Sequence, residues 1–419
     1  MKTRQQWLTA MIGSLATLMP SALVAQESRS PQVPNQARER TLAAVTSEGD
    51  SLTEEQESIA ADLQRRLPVG SEGRLMLDAI LSGERMGPND GWFAVAQPRT
   101  RFELAELLER YDSNDDRVID ADEFPGDAGD FSIVDRNGDR VVNEADLAWE
   151  ATRGSNEFGQ LLSRLDTERD GTITHEEFEQ LWTELSGKNE QVSAEELRRV
   201  LFPAERVQRE RRREPSRGTL LLGLARQEIG SWNPGPELND EAIDFELATI
   251  DGERIRLSDH LGDKPVVLIF GNYTCGPFRG QAGNLHQIHE RFKDRATFLM
   301  VYVREAHPED GWKLPSNALN EVAVLQPTNF GERREVAEVC HRHFHAEIPM
   351  MVDSIDDEVG HAYSGGPARL YLLDRDGTIA FKSGRGPHYF FPSQLESALV
   401  WLLNSQEPAR GAVGVEGLE

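Results

Sequence analysis

The apolar and polar positions divide the chain into two parts with different periods. Over residues 101–201 the apolar residues recur at helical spacing between short acidic loops, as in residues 102–111 ahead of a first loop that begins at Asp112. From about Pro236 onward the apolar residues instead form short runs of β-branched and aromatic side chains, separated by helical segments. We therefore predict a multidomain chain in which an all-α module is followed by an α/β domain.

The α/β part can be divided further into strands and helices. Strands are predicted for PVVLIFG, TFLMVYV, PMMVD and ARLYLLDRDGTIAFK, and helices for residues 280–292, 331–344 and 392–403. Strands that alternate with helices predict a largely parallel sheet. The Asp-Gly turn inside the last run predicts an antiparallel pair at one edge of that sheet.

The first 25 residues have the composition of an export signal. A short cationic stretch precedes an apolar stretch from about Trp7 to Met19, and small residues surround Ala25. Because Leu23 stands where a cleavage site prefers a small residue, the signal is either cleaved or kept as an anchor. No later segment reaches the roughly 20 apolar residues of a membrane span. We expect an exported protein, periplasmic or extracellular, with residues 1–25 as its signal.

The remaining boundaries follow from composition. Residues 26–100 are polar and predict a flexible leader with some helix, residues 202–235 predict a basic linker, and residues 406–419 predict a disordered tail. This leaves residues 101–201 for the helical module and residues 236–405 for the α/β domain.

The net charge of −27 is unevenly distributed, which bears on the partners. Residues 101–200 carry 27 acidic and 11 basic side chains, so this quarter of the chain holds over half of the negative excess. An acidic protein is not expected to bind nucleic acid, and a local concentration of carboxylates favours cations. The helical module is therefore where a metal site is expected.

Three loops of this module resemble the calcium-binding EF-hand. In that loop the oxygen ligands fall at positions 1, 3, 5, 7, 9 and 12, with a backbone carbonyl at position 7, because twelve residues wrap one large cation. The ligand positions are occupied by Asp112, Asn114, Asp116, Val118, Asp120 and Glu123 in the first loop, by Asp135, Asn137, Asp139, Val141, Asn143 and Asp146 in the second, and by Asp166, Glu168, Asp170, Thr172, Thr174 and Glu177 in the third. We predict that these loops bind Ca²⁺, the alternative being a set of solvated acidic turns.

The loops depart from the EF-hand pattern at two positions. Position 6, where a glycine makes the sharp turn, holds Arg117 and Arg140 in the first two loops and Gly171 only in the third. The second loop ends at Asp146 instead of a glutamate, which shortens the reach of that ligand. We therefore expect the third loop to bind best. Position 8 holds an aliphatic residue predicted to join a short β contact between paired loops: Ile119, Val142 and Ile173.

The chain has only two cysteines, too few for a disulfide scaffold in an exported protein. Cys275 follows the strand PVVLIFG and precedes the helix expected from Gly280. A helix N-terminus lowers the pKa of a thiol and so favours the thiolate, which is the nucleophile. We predict a reactive Cys275, the alternative being a buried structural cysteine. Cys340, on a predicted helix, is either a buried helix residue or a thiol that resolves an oxidised Cys275.

Several segments carry a resemblance to known families. DFELATIDGERIRLSDHLGDKPVVLIFGNYTC resembles the opening of thioredoxin-fold redoxins, and FGNYTCGPF, FLMVYVREAHPEDGW, GPARLYLL and GPHYFFPSQLESAL resemble the iodothyronine deiodinases. The resemblance spans roughly residues 244–403, and EAHPEDGW is its most specific part. It implies a thioredoxin-like fold for the α/β domain. Cys275 occupies the position at which the family usually carries selenocysteine.

The resemblance implies a thiol-dependent reductive dehalogenation. Cys275 would take up the halogen from an aryl carbon, with Thr274 beside it, and Glu305 with His307 would form an acid and proton-relay pair. Arg369 matches a family arginine that helps hold the substrate. The implied partners are a small-molecule substrate, a halogenated phenol, and an external thiol reductant as electron donor. Independently of the resemblance, parallel strands that end at Cys275 and Glu305 would bring both groups to one sheet edge.

The sequence also departs from the family pattern. A substrate-contacting histidine expected near residues 327–329 is absent, Tyr273 replaces a helper cysteine, and Phe278 excludes a CxxC dithiol. Pro367 stands where thioredoxin folds place a cis-proline facing the active-site thiol. Two alternatives therefore stay open. One is a peroxiredoxin-like thiol peroxidase. Asn272 argues against it, because peroxiredoxins usually carry a threonine three positions before the reactive cysteine. The other is a non-enzymatic calcium-binding adaptor with a redoxin fold.

Overall fold

The structure is a computed structural model that describes residues 51–84, 86–147, 173–186, 215–319, 322–344 and 347–405. The predicted signal, the predicted disordered tail and residues 202–214 of the predicted basic linker lie outside these residues. Within the described part of the chain, no helix combines the length and the apolar character that crossing a membrane requires.

The described elements are numbered here in chain order. The helices are α1 (Glu54–Arg66), α2 (Glu72–Ser82), α3 (Leu104–Tyr111), α4 (Ala128–Val134), α5 (Glu144–Leu147), α6 (His175–Ser186), α7 (Arg217–Ala225), α8 (Gly276–Gly280), α9 (Ala282–Phe292), α10 (Pro315–Leu319), α11 (Phe330–Phe344), α12 (Glu358–Ala362) and α13 (Pro392–Asn404). The strands are β1 (Arg99–Thr100), β2 (Ile119–Asp120), β3 (Val141–Val142), β4 (Glu246–Thr249), β5 (Arg254–Arg256), β6 (Val266–Gly271), β7 (Thr297–Tyr302), β8 (Met350–Val352), β9 (Arg369–Leu373) and β10 (Ile379–Lys382). Short 3₁₀ turns cover Gly91–Ala94 and Leu257–His260.

One mixed sheet organises the α/β part, with the strand order β1-β10-β9-β6-β7-β8-β4-β5. Among the described strands, only β6 with β7 and β7 with β8 pair in parallel, and the other pairings of this sheet are antiparallel. The predicted strands and helices are present, but the prediction of a largely parallel sheet is wrong. Crossover helices connect β6 to β7 and β7 to β8, whereas β4–β5 and β9–β10 are hairpins, whose strands must pair antiparallel.

The central strand β6 is buried along its whole length and separates two apolar cores. Val267 and Ile269 face a core that is covered by α9, α11 and α13, while Leu268 and Phe270 face a second core that includes side chains of β4 and β5. Each such aliphatic or aromatic side chain contributes about 1.5–3 kcal/mol when it is fully buried. The carboxyl end of β6 is therefore fixed from both faces of the sheet.

Three helices that precede the α/β domain form a further layer. Helices α1, α2 and α7 bury Leu63, Leu77, Ile80, Leu220 and Leu221 against one another. Each of these helices begins with a serine or threonine whose side chain accepts a backbone hydrogen bond, which satisfies a donor that the helix leaves unpaired. The layer continues into β1, which pairs with β10 at one edge of the sheet.

This layer differs from two predicted boundaries. Residues 51–100 of the predicted flexible leader, apart from position 85, form helices and a strand with a core of their own. The end of the predicted linker, residues 217–225, is helix α7. The two N-terminal helices bury only part of their surface and are polar elsewhere, so composition alone resembles that of an unstructured segment.

The first two acidic loops are packed directly on the α/β part. The ring of Trp401 in α13 stacks on Tyr111 at 5.7 Å between centroids and meets the edge of Phe124 at 5.1 Å. In α4, the Asp130 carboxylate accepts two hydrogen bonds from the Arg295 guanidinium, at 2.9 and 2.7 Å. These loops and the sheet share one apolar core, which differs from the prediction of a separate helical module.

Candidate active site

Cys275 lies at the turn between β6 and α8, as the order of strand and helix predicts. Its side chain is 1% exposed, and burial raises the pKa of its thiol to about 11, against the opposing effects of the Phe278 backbone N–H and of Arg279. The expectation of a lowered thiol pKa is therefore wrong for this structure. Helix α8 has only five residues, so its dipole is too small to offset the loss of solvent.

Thr274 joins the cysteine turn to the end of β7. Its backbone N–H donates to Oε2 of Glu305 at 2.9 Å, and its hydroxyl accepts from the backbone N–H of His307, also at 2.9 Å. Strands β6 and β7 are adjacent and parallel, which brings their carboxyl ends to the same edge. The structure thus brings Cys275, Thr274, Glu305 and His307 into one locality, as predicted from their place in the sequence.

Glu305 is 1% exposed and has a partner that the sequence did not indicate. The hydroxyl of Tyr302 donates to Oε1 of Glu305 and accepts from the backbone N–H of Tyr273 at 3.1 Å. Burial raises the pKa of Glu305, although the hydrogen bonds from Tyr302 and Thr274 lower it. Burial likewise raises the pKa of Tyr302, and the neighbouring Glu305 raises it further. Burial therefore acts against the charged form of both groups.

His307 is not hydrogen-bonded to Glu305, in contrast to the predicted pair. Its Nδ1 lies 3.0 Å from the Trp312 carbonyl, and its ring meets the indole edge-on at 4.9 Å. A carbonyl can only accept, so Nδ1 carries the proton and Nε2 keeps its lone pair. Burial lowers the pKa of His307 to about 4, so the ring is neutral at neutral pH.

Asn272 connects the cysteine turn to two other segments. Its Nδ2 donates to the Pro367 carbonyl at 3.0 Å, and its Oδ1 accepts from the Thr274 hydroxyl and the Ala306 backbone N–H, each at 3.1 Å. The bond between Gly366 and Pro367 is cis, as the resemblance implied. Asn272 thus fixes the ends of β6 and β7 relative to the cis-proline turn.

Arg369 lies apart from the other predicted site residues. It is 1% exposed and starts β9, on the face that Tyr371 and Leu373 share, whereas Cys275 belongs to the core on the opposite face. Its guanidinium donates to the Pro234 carbonyl at 2.8 Å. Within the described part of the chain, no hydrogen bond or ion pair joins it to Cys275, Glu305 or His307.

The second cysteine is close to this site but is not bonded to it. Cys340, on α11, is fully buried and both thiols are free in this structure. Burial and the neighbouring Glu305 raise the pKa of Cys340, and Cys275 raises it as well. Of its two predicted roles, the buried helix position describes this structure, and a resolving role stays a prediction.

Sequence reasoning missed several residues that shape the site. Besides Tyr302 and the bridging contacts of Asn272, these include Gln326, which exchanges two hydrogen bonds with the backbone of Glu305, at 3.1 and 3.0 Å. Asn317 donates to the Thr274 carbonyl at 2.9 Å and accepts from Arg279 at 2.7 Å. Two of them had a signal in the sequence, since Tyr302 lies near the end of the predicted strand TFLMVYV and Asn272 directly follows PVVLIFG.

The first two acidic loops have the geometry of a cation-binding turn. One carboxylate oxygen each of Asp112, Asp116 and Glu123 lies within 4.8 Å of the others, and the same holds for Asp135, Asp139 and Asp146. At the predicted glycine position Arg117 and Arg140 adopt left-handed φ values of 69° and 74°. The loops therefore make the sharp turn without glycine. The predicted β contact between them is confirmed, since Ile119 pairs with Val142.

The other predicted ligands of these two loops lie on the same turns. The carboxamide oxygens of Asn114 and Asn137 accept from the backbone N–H groups of Asp116 and Asp139, each at 2.8 Å. Asp120 accepts from the Glu123 N–H at 3.0 Å. Val118 and Val141 occupy the position whose carbonyl is the predicted ligand.

The third loop is described only at its end. Asp166, Glu168, Asp170 and Thr172 lie outside the described residues. Glu177 is buried and accepts from the Thr174 backbone N–H at 2.9 Å. The expectation that this loop binds best stays a prediction.

The α/β part is similar to parts of solved structures of other proteins. A putative protein disulfide isomerase from Bacteroides thetaiotaomicron is 18% identical with a TM-score of 0.31, and the match covers 41% of this chain and 92% of that chain. A putative thiol:disulfide interchange protein DsbE from Chlorobium tepidum is 21% identical with a TM-score of 0.28, covering 40% of this chain and 99% of that chain.

Similar sequences carry deiodinase names. Thyroxine 5-deiodinase of Gallus gallus is 31% identical over 176 residues, which are 42% of this chain and 62% of the relative. Type II iodothyronine deiodinase of Sus scrofa is 31% identical over 157 residues, 37% of this chain and 57% of the relative. The chain thus spans less than two thirds of the length of these relatives. The family model described as Iodothyronine deiodinase matches residues 235–402. The C-terminal part of the chain is therefore an α/β domain that matches the iodothyronine deiodinase family over residues 235–402.

Proposed function

We propose that the α/β domain is a thiol-dependent oxidoreductase that removes a halogen reductively from a halogenated phenol, with Cys275 as the nucleophile. One observation carries the proposal. The backbone N–H next to Cys275, that of Thr274, donates to the buried acid Glu305, so thiol and acid are joined at the ends of two adjacent parallel strands. The family match of this domain supports the same reaction, and the name Thyroxine 5-deiodinase of one relative supports an iodinated substrate.

The reaction balances with two equivalents of an external thiol. The Cys275 thiolate forms a bond to iodine while the carbon–iodine bond breaks and the carbon takes up a proton. An external thiol then attacks the Cys275 sulfur, which releases iodide and a proton and forms a mixed disulfide. A second external thiol completes the external disulfide and returns the cysteine to its reduced form. The aryl iodide is reduced, and two thiols are oxidised to one disulfide.

Glu305 is suited to supply the proton that the carbon takes up. Burial raises its pKa above that of an ordinary carboxyl group, which brings it closer to the pH at which a carboxyl can donate a proton, and the bonds from Tyr302 and Thr274 fix its orientation. His307 is neutral and carries a lone pair on Nε2, so it can accept a proton but does not add positive charge near the thiol.

The experiment measures iodide released from an iodinated phenol by the full chain with excess dithiol. We expect release by the wild type, no release by Cys275→Ser, and retained release by Cys340→Ser, because the external thiol regenerates the enzyme. Hydroperoxide consumption is measured in parallel. Peroxide consumption that depends on Cys275, without iodide release, would favour a thiol peroxidase. If the protein catalysed neither reaction, the calcium-binding adaptor would be the remaining alternative.

We also propose that the first two acidic loops bind Ca²⁺. The residues fit a hard cation, since each loop gathers three carboxylates, adds a carboxamide at position 3 and a backbone carbonyl at position 7, and holds Asp120 or Asn143 at position 9. A bound Ca²⁺ would neutralise mutually repelling carboxylates and draw each loop around one centre. In the second loop the ligand at position 12 is Asp146, which is fully buried. Because its side chain is shorter than that of a glutamate, this loop should accept a smaller ion more readily than the first.

Titration calorimetry on the full chain tests the calcium proposal. We expect heat on adding Ca²⁺ that falls in steps when Asp112→Ala and Asp135→Ala are introduced singly and together. Asp122→Ala removes an acidic residue of the first loop from a position that carries no predicted ligand, and it should leave the titration unchanged. Binding that is insensitive to Asp112→Ala and Asp135→Ala would contradict the assignment.

A further inference from the structure

The segment that follows β7 carries both Glu305 and His307, and side chains from other parts of the chain hold its backbone. The N–H of Val303 still donates to the Gly271 carbonyl of β6, at 3.0 Å. The next four backbone N–H groups, those of residues 304–307, donate instead to side-chain oxygens, in order those of Asp357 at 2.9 Å, Gln326 at 3.1 Å, Asn272 at 3.1 Å and Thr274 at 2.9 Å. The place of Glu305 therefore depends on these four side chains.

Asp357 is the charged acceptor among these four, and an arginine holds its carboxylate. Oδ1 of Asp357 accepts from Nη1 of Arg333 on α11 at 2.8 Å, and Oδ2 lies 3.4 Å from Nη2 of the same side chain. Both side chains are 2% exposed. A hydrogen bond to a carboxylate is roughly twice as strong as one to a neutral oxygen. The buried pair thus presents a fixed, charged acceptor to the backbone N–H of Arg304.

The backbone of Asp357 restricts which residues fit this position. Its φ of 56° and ψ of 43° lie in the left-handed region, which glycine, asparagine and aspartate adopt more readily than other residues. Its N–H donates to the Ser354 carbonyl at 2.9 Å, and its carbonyl accepts from the His361 N–H at 2.7 Å. Glycine would be enough for this turn alone, so the buried carboxylate points to a further role.

We propose that Asp357 is a positioning residue for Glu305, which holds the chain before Glu305 so that its carboxyl group reaches the cysteine turn. Oε2 of Glu305 accepts from the Thr274 N–H at 2.9 Å, one residue before Cys275. Asp357 acts on this contact through the Arg304 backbone. The proposal rests on the function proposed for Glu305, but the contact that it concerns exists before any substrate binds.

Two variants separate the acceptor from the turn and from the charge. Asp357→Gly keeps the left-handed turn and removes the acceptor, whereas Asp357→Asn keeps both the turn and a side-chain oxygen for the Arg304 N–H. Both variants remove the negative charge beside Arg333. The difference between them therefore isolates the hydrogen bond to the Arg304 backbone.

The first readout is the amide proton of Thr274, recorded by NMR on the full chain labelled with ¹⁵N-threonine, without substrate. Thr274→Ser identifies the resonance. A hydrogen bond to a carboxyl oxygen moves an amide proton downfield. We expect Asp357→Gly to lose this downfield shift, because Glu305 moves away from the cysteine turn, and Asp357→Asn to keep it.

The second readout is iodide release from an iodinated phenol with excess dithiol. We expect kcat to fall about tenfold to a hundredfold in Asp357→Gly, because a displaced acid loses much of its effect on the transition state. KM should stay unchanged, since substrate binding does not depend on the acid. Asp357→Asn should recover most of kcat.

Glu72→Ala is the matched control, because Glu72 on α2 is the carboxylate partner of another fully buried arginine, Arg385. It should cost stability and leave both the Thr274 amide and kcat at the parent values. Circular dichroism checks folding. If Asp357→Gly does not fold, Arg333→Met is added to Asp357→Gly and to Asp357→Asn, which removes both charges of the buried pair together.

The outcomes separate this proposal from the proposed reaction. An unchanged Thr274 amide in folded Asp357→Gly would overturn the positioning role, and so would equal changes in Asp357→Asn or in Glu72→Ala. A shifted amide with an unchanged kcat would overturn it as well. If the parent released no iodide while the Thr274 amide shifted as expected, the proposed reaction would fail and the positioning of Glu305 by Asp357 would stand.

Discussion

Tyr302 determines the environment of the buried acid at the scale of single residues. Replacing it by phenylalanine removes the donor to Glu305 and the acceptor of the Tyr273 N–H. We expect Tyr302→Phe to lower the free energy of unfolding by about 1–3 kcal/mol, since it leaves buried polar groups without partners. We also expect the pKa of Glu305 to rise further and iodide release to slow. Denaturant unfolding, NMR titration of the carboxyl group and the iodide assay measure these effects.

The control for this variant is Tyr363→Phe. The Tyr363 hydroxyl donates to the Ile243 carbonyl at 2.7 Å, and its ring lies in the core on the other side of β6. This change should cost comparable stability and leave iodide release unchanged. Slowing of release to the same degree in both variants would show that stability alone, not the Glu305 contact, controls the rate.

The neutral His307 predicts a pH dependence of stability with a defined sign. The folded pKa is about 4 and the usual value is 6.5, so between these values the unfolded chain takes up a proton that the folded chain does not. The free energy of unfolding should therefore fall as the pH is lowered from 6.5 to about 4. His307→Gln keeps a donor for the Trp312 carbonyl and removes the titrating group. Urea unfolding over this pH range should show a shallower dependence in the variant, and identical slopes would contradict the assignment.

The sequence predicted the location of the site better than its contacts. Cys275 and Glu305 each follow an apolar run, so their place at the ends of two strands could be read from the pattern. The burial of Cys275 could not be read from the pattern, because it depends on side chains of α8 and α11 that share its apolar core. The partner of Glu305 depends on the path of the chain after β7, which puts the imidazole of His307 against the Trp312 carbonyl instead.

At the scale of elements, helix α13 links the acidic loops to the sheet. Trp401 is fully buried between them and contacts Tyr111 and Phe124. We expect Trp401→Ala to lower the free energy of unfolding by about 3–5 kcal/mol, because a large buried ring leaves a cavity. Since the loops would lose the surface they pack on, we also expect their affinity for Ca²⁺ to change. Unfolding curves and calorimetric titration measure the two effects.

Trp92→Ala provides the comparison, because Trp92 is also fully buried but lies in the helical layer of α1, α2 and α7. It should cost similar stability and leave Ca²⁺ affinity at the wild-type value. If both variants changed Ca²⁺ affinity equally, the effect would come from lost stability in general and not from the contact between α13 and the loops.

Helices and strands with a clear pattern of apolar residues could be predicted from the sequence. Elements that form only by pairing with residues far away in the sequence could not. Strands β6 to β10 and helices α9, α11 and α13 match apolar runs of the right length. Strand β1 has only two residues and exists because β10 presents an edge to it, a contact across about 280 positions that no local pattern encodes. The parallel or antiparallel sense of each pairing depends in the same way on connections that the sequence does not show.

At the scale of the whole molecule, the shared core predicts how the protein unfolds. The first two loops and the sheet belong to one apolar cluster, so a ligand that stabilises the loops should stabilise the sheet as well. We expect calorimetry to show one unfolding transition for these parts, shifted upward by Ca²⁺, with about 2.7 kcal/mol per site at a hundredfold excess over the dissociation constant. The double variant Asp112→Ala, Asp135→Ala should lose the shift. Two transitions of which only one responds to Ca²⁺ would refute the coupling.

The position of α7 has a consequence for how such a chain could have arisen. Helix α7 comes after the acidic loops in sequence, yet it completes the layer that α1 and α2 begin before them. In topological terms residues 101–214 are an insertion within that layer, not an addition at one end of a redox protein. Loss of the acidic loops would leave α1, α2 and α7 with their shared core, but it would uncover Trp401 of α13.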